Sequence, residues 1–171
     1  MGVVERRHGS GTFVSGARAQ EEHLRHFRFM AEGGERLLPI FFKVIGIETT
    51  RETGPWSPFF GAGVDSYIHI QRLVSVNDEF EAFSEVYLPA DRFADLSRMS
   101  EATLNGVSFR DMLAERFNAP TLNTRQTMVC QTLPPRVTRH LDMPPGQFGM
   151  VWTICGMSYR DAPITWQRVF V

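Results

Sequence analysis

The chain has 171 residues, of which 43% are hydrophobic and 22% charged, and its formal net charge is −1. These values are typical of one globular domain with a real hydrophobic core, and they exclude a disordered chain and a generally basic, nucleic-acid-coating surface. The N-terminus carries no apolar signal segment and no run approaches the length of a membrane span, so we expect a cytoplasmic protein.

The first half of the chain predicts hairpins and turns. Residues 1–15 read as a small hairpin around a Gly-rich turn at His8 to Gly11, and residues 16–23 read as a linker. The glycines at 33–34 indicate a turn, and the run 52–63 contains two prolines and three glycines, which makes a helix there unexpected. Strands are predicted in the runs HLRHFRFM (23–30), LLPIFFKVIGIETT (37–50), DSYIHIQRLVSV (65–76) and FEAFSEVYLP (80–89).

The second half predicts three short helices and the last strands. The helices lie in DRFADLSRM (91–99), SFRDMLAERF (108–117) and PPRVTRHL (134–141), the second with Ser108 and Asp111 in a capping-box relation. Strands are predicted in RQTMVCQTL (125–133), FGMVWTICGMSY (148–159) and ITWQRVFV (164–171). The total, about seven strands and three short helices connected mostly by hairpins, predicts an α+β fold on an antiparallel sheet.

Few residues suggest chemistry on their own. The sequence contains no GxSxG, P-loop, GxGxxG or HExxH motif, and its five histidines have no metal-ligand spacing, so we predict no metal or cofactor. Cys130 and Cys155 lie far apart in apolar strands and are predicted to be buried, reduced thiols.

Two charged strand residues are more informative. Arg72 shares its predicted strand face with Ile68, Ile70 and Val74, so it is either paired internally or available to an anion, and the anion interpretation is slightly favoured. Glu85 lies in mid-strand. We expect it at the surface, since charged strand residues are mostly exposed, and a place in a pocket is the alternative.

Several motifs in order resemble those of a known family. VVERRHGSGTFV resembles the wing of the winged helix-turn-helix in GntR-superfamily transcription regulators, where a GxGTFV run closes the DNA-binding domain. The runs IHIQRLV, SEVYLPADRF and VSFRDMLAERFNAP are similar to three motifs of the UTRA domain, the effector-binding module of the histidine-utilisation-repressor branch. HLDMPPGQFGMVW and YRDAPITWQRVFV are similar to its last two.

The resemblance implies a fold, a domain organisation and partners. It implies a chorismate-lyase-like antiparallel sheet with flanking short helices, an effector pocket at the sheet, and a homodimer. Residues 1–15 would be the wing of a winged helix-turn-helix whose helices are missing, 16–23 the linker, and 24–171 the UTRA domain. The missing helices imply either a piece of a longer protein or a start assigned inside a longer reading frame, and the C-terminus is also expected to be short.

The site residues implied by the resemblance carry over only in part. The first arginine of the family's RLR strand is Arg72, but Val74 stands at the second, and the family's two carboxylate positions fall on Ser84 and Thr165. The resemblance implies effector contacts from Arg72, Ser84, Glu85, Ser108, Thr165 and Arg28, and wing contacts to DNA from Arg6, Arg7, Gly9 and Gly11.

One arginine and two carboxylates of the family pattern are therefore missing, which favours a small or apolar anion, such as a carboxylate, over a sugar phosphate. Aromatic residues of FRF (27–29), GPWSPFF (54–60) and TWQ (165–167) are expected either to wall the pocket or to pack in the core.

Three functions compete. The leading one is a ligand-sensing, dimerising domain of a GntR-type regulator. The second is a lyase or isomerase for a small aromatic acid on the same fold, which release of pyruvate from chorismate would reveal. The third is a sensor without its own DNA-binding helices that forms mixed dimers with a full-length regulator.

Overall fold

The computed structural model describes residues 28–171 together with the strand residues 4–6 and 12–14. Its strands are β1 (Val4–Arg6), β2 (Thr12–Val14), β3 (Ile40–Thr50), β4 (Tyr67–Val76), β5 (Phe80–Pro89), β6 (Asn123–Thr132), β7 (Phe148–Met157) and β8 (Pro163–Phe170). The last six form one antiparallel sheet in the order β3-β4-β5-β8-β7-β6, while β1 pairs with β2. The predicted α+β fold on an antiparallel sheet is confirmed.

The helices are short. They are α1 (Ser57–Phe60), α2 (Glu101–Leu104), α3 (Phe109–Phe117) and α4 (Pro135–His140), with 3-10 turns at Ala94–Arg98 and Tyr159–Asp161. The expectation that no helix forms in 52–63 is wrong, because Pro58 falls in the first turn of α1, where its missing N–H has no partner to lose. Within the described ranges, no helix has the length and apolar character needed to cross a membrane.

The β4–β5 hairpin turns at Asn77 and Asp78. Asn77 and Asp78 both have positive φ, a conformation that these two residue types tolerate better than most. The strands then pair in continuous register from Val76 opposite Phe80 to Tyr67 opposite Pro89. Since side chains alternate along a strand, this register decides which residues share a face.

We name the two faces of the sheet by one residue each. The Arg72 face carries Ile68, Ile70, Arg72 and Val74 of β4, and the Glu85 face carries the alternate residues, such as Glu85 of β5. Helices and turns cover both faces, and each face holds two hydrophobic clusters.

The clusters of the Arg72 face meet at Arg72 itself. One contains Ile68 and Ile70 with residues of α2 and α3, and the other contains Val74 and Val76 with Trp152 and Val169. A shift of register in β3 between Val44 and Gly46 inserts one residue, and as a result both Val44 and Ile47 contact the first cluster. Arg72 therefore lies at the seam between two apolar regions.

The edge strand β6 is open to solvent. Almost all of its side chains are exposed, among them Met128 and Val129 at 58% and 51%. Cys130 is exposed there and Cys155 is half-buried, so the prediction of buried thiols is wrong for Cys130, although both are free. The apolar run that suggested burial belongs to a strand with a neighbour on one side only.

The predicted strand over residues 23–30 falls mostly outside the described residues. In its described part the chain forms a single bridge, between Met30 and Leu37, so the prediction of a strand is wrong there. Phe29 is half-buried against the cluster that contains Val74 and Val76 and makes an edge contact with Phe80. Phe27 and the predicted linker 16–23 lie outside the described residues.

Candidate functional site

Arg72 is the centre of the candidate site. Its residue is 4% exposed, and one Nη2–H donates to Ser84 Oγ, 3.3 Å away on the paired strand. Its Nε–H is buried and has no hydrogen-bond partner, and Arg72 forms no ion pair with any residue in the described part of the chain. Burial lowers the pKa of Arg72 from its ordinary value to about 9, because the charged form loses its hydration. A positive charge is thus held in an apolar seam to which the described residues bring no counter-charge.

Ser84 adds a second donor. Its residue is fully buried, and its Oγ accepts from Arg72 and from Gln167 Nε2, the latter at 2.9 Å. With both acceptor positions used, the hydroxyl has its own hydrogen left to donate, and none of the described residues accepts it. Buried donors without acceptors are costly, and among the described residues this pair has two hydrogens left to donate.

Two aromatic rings cover the guanidinium. The Cζ atom of Arg72 lies 4.8 Å from the ring centroid of Phe42 and 4.6 Å from that of Phe109. Phe42 comes from β3, and Phe109 is the first residue of α3. The start of α3 is set by Ser108, whose Oγ accepts from the N–H of Asp111 at 3.4 Å. Ser108 therefore acts here as the predicted cap that places Phe109 over Arg72.

The remaining polar residues of this face lie farther along the sheet. Thr165 and Gln167 are half-buried and follow Ser84 toward β7. A Cβ on Gly156, opposite Thr165, would be 2.4 Å from Thr165 Oγ1, so any larger residue there would have to displace that side chain. Beyond it, Trp152 Nε1–H donates to Gln126 Oε1 at 3.1 Å.

Sequence reasoning missed four residues of this face. They are Phe42, Phe109, Gln167 and Trp152. Strand alternation was the available signal for Gln167, which stands two positions after Thr165 and therefore shares its face.

Glu85 lies on the opposite face, away from Arg72. It is 2% exposed, and its carboxylate accepts from Arg136 Nε at 3.0 Å and Nη2 at 2.8 Å. The surface position that was expected for Glu85 is wrong, because helix α4 brings Arg136 over the strand. The hydrogen bonding between Arg136 and the Glu85 carboxylate raises the pKa of Arg136. His69 Nε2 stands 3.8 Å from the same carboxylate, and His69 Nδ1 lies 3.0 Å from Glu48.

The aromatic residues of 54–60 and 165–167 also belong to the Glu85 face. Trp56 stacks on Tyr87 at 3.7 Å between centroids, and Trp166 and Phe60 join the same cluster. Burial, chiefly, and the nearby Glu85 carboxylate raise the pKa of Tyr87 well above its usual range. These rings pack in the core of the opposite face and lie away from Arg72, since Trp166 alternates with Thr165 and Gln167.

The other predicted contact residues are not brought to Arg72. Arg28 is exposed at the start of the continuous described segment. Arg6 lies in β1, where its side chain is outside the described part, and Arg7, Gly9 and Gly11 are outside the described residues altogether. The described residues therefore assemble Arg72, Ser84 and Thr165 on one face, with Ser108 at its rim.

A depression of about 290 Å³ lies beside α2 and α3, and its lining includes Ser108 and Asp111 but neither Arg72 nor Ser84. Among the described residues, no three His, Cys, Asp or Glu side chains are grouped closely enough to hold a metal ion.

Comparison with known proteins agrees with this architecture. The structure is similar to that of PhnF from Mycobacterium smegmatis, with a TM-score of 0.68, 17% identity, and coverage of 98% of this chain and 72% of that one. It is also similar to the effector domain of the same protein, with a TM-score of 0.67, 13% identity, and coverage of 78% and 80%.

A third similar structure is the C-terminal domain of the histidine utilization repressor from Pseudomonas syringae pv. tomato, with a TM-score of 0.60, 13% identity, and coverage of 77% and 89%. At these identities the likeness establishes the fold. Among curated protein sequences, none matches this chain. The profile of the UTRA domain matches residues 42–171, which include every strand of the six-stranded sheet except the first two residues of β3. The chain therefore belongs to the UTRA domain family, as its motifs indicated.

Proposed function

We propose that this chain is the effector-sensing and dimerising domain of a GntR-type transcription regulator, and that its effector is a small carboxylate bound at Arg72. The UTRA match and the likeness to domains named as effector domains of regulators support the class of function. The observation that carries the proposal is the buried Arg72 guanidinium, whose Nε–H and whose neighbour Ser84 both have a hydrogen to donate.

The charge of the face favours a singly charged anion. Arg72 is the only charged side chain that the strands of the described sheet place on this face. The attraction between two opposite charges is stronger in a desolvated site than in water. A guanidinium can also bind a carboxylate through two parallel hydrogen bonds. A doubly charged phosphate would bring one negative charge without a partner.

A thermal-shift screen against small carboxylates, sugar phosphates and amino acids tests this proposal. A ligand at 100 times its dissociation constant stabilises a domain by about 2.7 kcal/mol, which is a shift of several degrees at this size. We expect shifts from carboxylates that vanish in Arg72→Met and persist in Arg92→Met, an exposed arginine over the ring of Phe93. Shifts that survive in Arg72→Met would place the effector elsewhere.

The dimer is proposed from the open edge of the sheet. β6 is ten residues long, carries one charged residue, Arg125, and exposes Met128 and Val129. A long edge strand with a single charge and exposed apolar residues at its middle is normally covered, and antiparallel pairing of β6 with its own copy around a two-fold axis would cover it. Pairing centred on Met128 would place each Arg125 opposite Gln131 of the other chain, with no like charges facing each other.

Molar mass in solution tests this arrangement. We expect a dimer for the unmodified chain, and a monomer for Val129→Lys, since a lysine on an edge strand opposes pairing. The matched control is Tyr159→Lys, a residue of similar exposure outside the strands, which should leave the dimer intact. A dimer that survives Val129→Lys would show that β6 is not the interface.

We also propose that the β1–β2 hairpin is the wing of a DNA-binding domain and that residues 16–23 link it to the sensor. The antiparallel pairing of β1 and β2 supports a hairpin before the sheet. Limited trypsin digestion should then cut at Arg18 and leave a fragment that still shows the ligand-dependent thermal shift. If the fragment no longer showed the ligand-dependent thermal shift, the hairpin would be part of the sensor domain and not a separate unit.

A further inference from the structure

We propose a second anion site on the Glu85 face, in which Arg168 and Arg125 together bind one doubly charged phosphate group beside Thr153. The site is separate from Arg72, which lies on the other face of the sheet, and it does not depend on the effector proposed there. The observation that carries it is a pair of neighbouring arginines to which the described residues bring no ion-pair partner.

The strand register brings the two arginines to one stretch of the sheet. Thr153 of β7 is paired with Arg168 of β8, and two positions farther along β7, Cys155 is paired with Arg125 of β6. All four residues are therefore on the same face. Strand spacing and rise put the Cα atoms of the two arginines about 12 Å apart, diagonally across β7. Two extended arginine side chains can close that span on an anion between them.

This stretch lies between the segments that cover the Glu85 face. On β8, Phe170 belongs to the cluster under α4 and Trp166 to the cluster under α1, and Arg168 stands between the two. Arg168 and Thr153 are half-buried and Arg125 is exposed, so the site opens toward the edge of the sheet. Pairing of β6 with a second copy would use its backbone groups and leave these side chains on the face.

The charge of Arg168 is not taken up by the buried carboxylate beside it. Glu85 is its cross-strand neighbour, but both oxygens of Glu85 accept from Arg136, at 3.0 and 2.8 Å. The Nε–H of Arg168 is buried without a hydrogen-bond partner among the described residues, and its Cζ atom lies 4.9 Å from the ring centroid of Trp166. Burial lowers the pKa of Arg168, although the Glu85 carboxylate opposes that change. One carboxylate thus serves two arginines and satisfies only Arg136.

Arg125 supplies the second positive charge. Burial raises the pKa of Cys155, and the Arg125 guanidinium opposes that change, so the guanidinium lies near the thiol and over β7. Arg125 forms no ion pair within the described part of the chain. The hydroxyl of Thr153, between the two arginines in the register, adds a neutral donor.

This set of donors matches a phosphate group. The tetrahedral oxygens of a phosphate can accept from two guanidiniums on opposite sides and from a hydroxyl between them. Its double charge balances both arginines, whereas a carboxylate or a sulfate ester would leave one of them without a counter-charge. The phosphate is either the free ion or the terminal group of a phosphate monoester.

Isothermal titration calorimetry of the unmodified chain with phenyl phosphate and phenyl sulfate tests the site. The two esters share their shape and differ in charge, because a phosphate monoester is close to doubly charged at about pH 7.5. We expect phenyl phosphate to bind at least about tenfold more tightly than phenyl sulfate. A titration with inorganic phosphate identifies the source: binding as tight as that of phenyl phosphate assigns the site to the free ion, and weaker binding assigns it to a monoester.

Variants locate the bound phosphate. Arg168→Met and Arg125→Met should each weaken phenyl phosphate binding at least about tenfold. The matched control is Arg92→Met, which removes an exposed arginine over a ring elsewhere and should leave the affinity unchanged. Thermal unfolding shows whether each variant is folded.

The outcomes separate this inference from the proposed function. Equal affinity for the two esters would overturn the doubly charged ligand, and no binding of either phosphate at millimolar concentration would overturn the site. Phenyl phosphate binding that survives in both folded variants, or that is lost in Arg72→Met instead, would also overturn it. None of these results bears on the carboxylate shifts expected at Arg72, so each proposal can fail alone.

Discussion

Replacing Arg72 by methionine should make the ligand-free protein more stable, although it removes the centre of the binding site. Arg72 holds its charge in an apolar seam, 4% exposed, with no carboxylate partner among the described residues. Methionine keeps an unbranched apolar chain of adaptable shape and carries no charge. A buried charge selected for a ligand costs stability when that ligand is absent.

The size of the effect follows from opposing contributions. Lowering the pKa of an arginine from its ordinary value to about 9 corresponds to an unfavourable free energy of about 5 kcal/mol for the charged form. The two ring contacts return roughly 1 kcal/mol each, and the long hydrogen bond to Ser84 roughly 1 kcal/mol more. We therefore expect Arg72→Met to raise the free energy of unfolding by about 2 kcal/mol and Tm by about 4–8 °C.

Urea and thermal unfolding of the ligand-free protein measure this change. Arg92→Met serves as the control, because it removes an exposed arginine that also lies over a ring, and it should alter stability by less than about 0.5 kcal/mol. If Arg72→Met is neutral or destabilising, the charge is compensated in the folded protein and the reasoning about an unpaired guanidinium is refuted.

Three further predictions concern the site and its frame. Arg136→Met removes the guanidinium partner of the buried Glu85 carboxylate and leaves it only the imidazole of His69 at 3.8 Å. It should lower the free energy of unfolding, measured in urea, by roughly 3 kcal/mol, whereas Arg98→Met, in an exposed pair, should lower it by less than about 0.5 kcal/mol. Gly156→Ala places a Cβ 2.4 Å from a cross-strand hydroxyl oxygen and should cost about 1–3 kcal/mol, while Gly63→Ala meets open space and should be neutral in thermal unfolding. Calorimetry at several pH values should show that the affinity for a carboxylate does not change below pH 9 and falls about tenfold per pH unit above it. The reason is that Arg72 in the free site has then lost the proton that binding requires. An affinity that stays unchanged up to about pH 10.5 would contradict this prediction.

Strand alternation was sufficient to predict most of the sheet and the central residue of the site. The pattern of β4 places Arg72 among Ile68, Ile70 and Val74, and the structure buries it there. The cap at Ser108 was equally local, because it depends on residues three positions apart. Signals of this kind are contained in a few consecutive residues.

The features that sequence reasoning missed depend on contacts between distant segments. Glu85 is buried because Arg136, 51 positions away, neutralises it from α4. The exposure of Cys130 follows from the place of β6 at the edge of the sheet, which its apolar sequence does not reveal. Phe109 reaches Arg72 only after α3 packs on the sheet.

The site is assembled from chain segments that are far apart. Ser84 and Gln167, whose hydrogen bond completes it, are separated by 83 positions, and the β5–β8 pairing that joins them closes a long loop. Unfolding of any one of these strands would therefore disrupt the site. A ligand bound at the site should in turn suppress opening of the whole sheet. In hydrogen exchange, the effector should slow the amides that exchange only through global unfolding in β4, β5 and β8 together, rather than those of one loop.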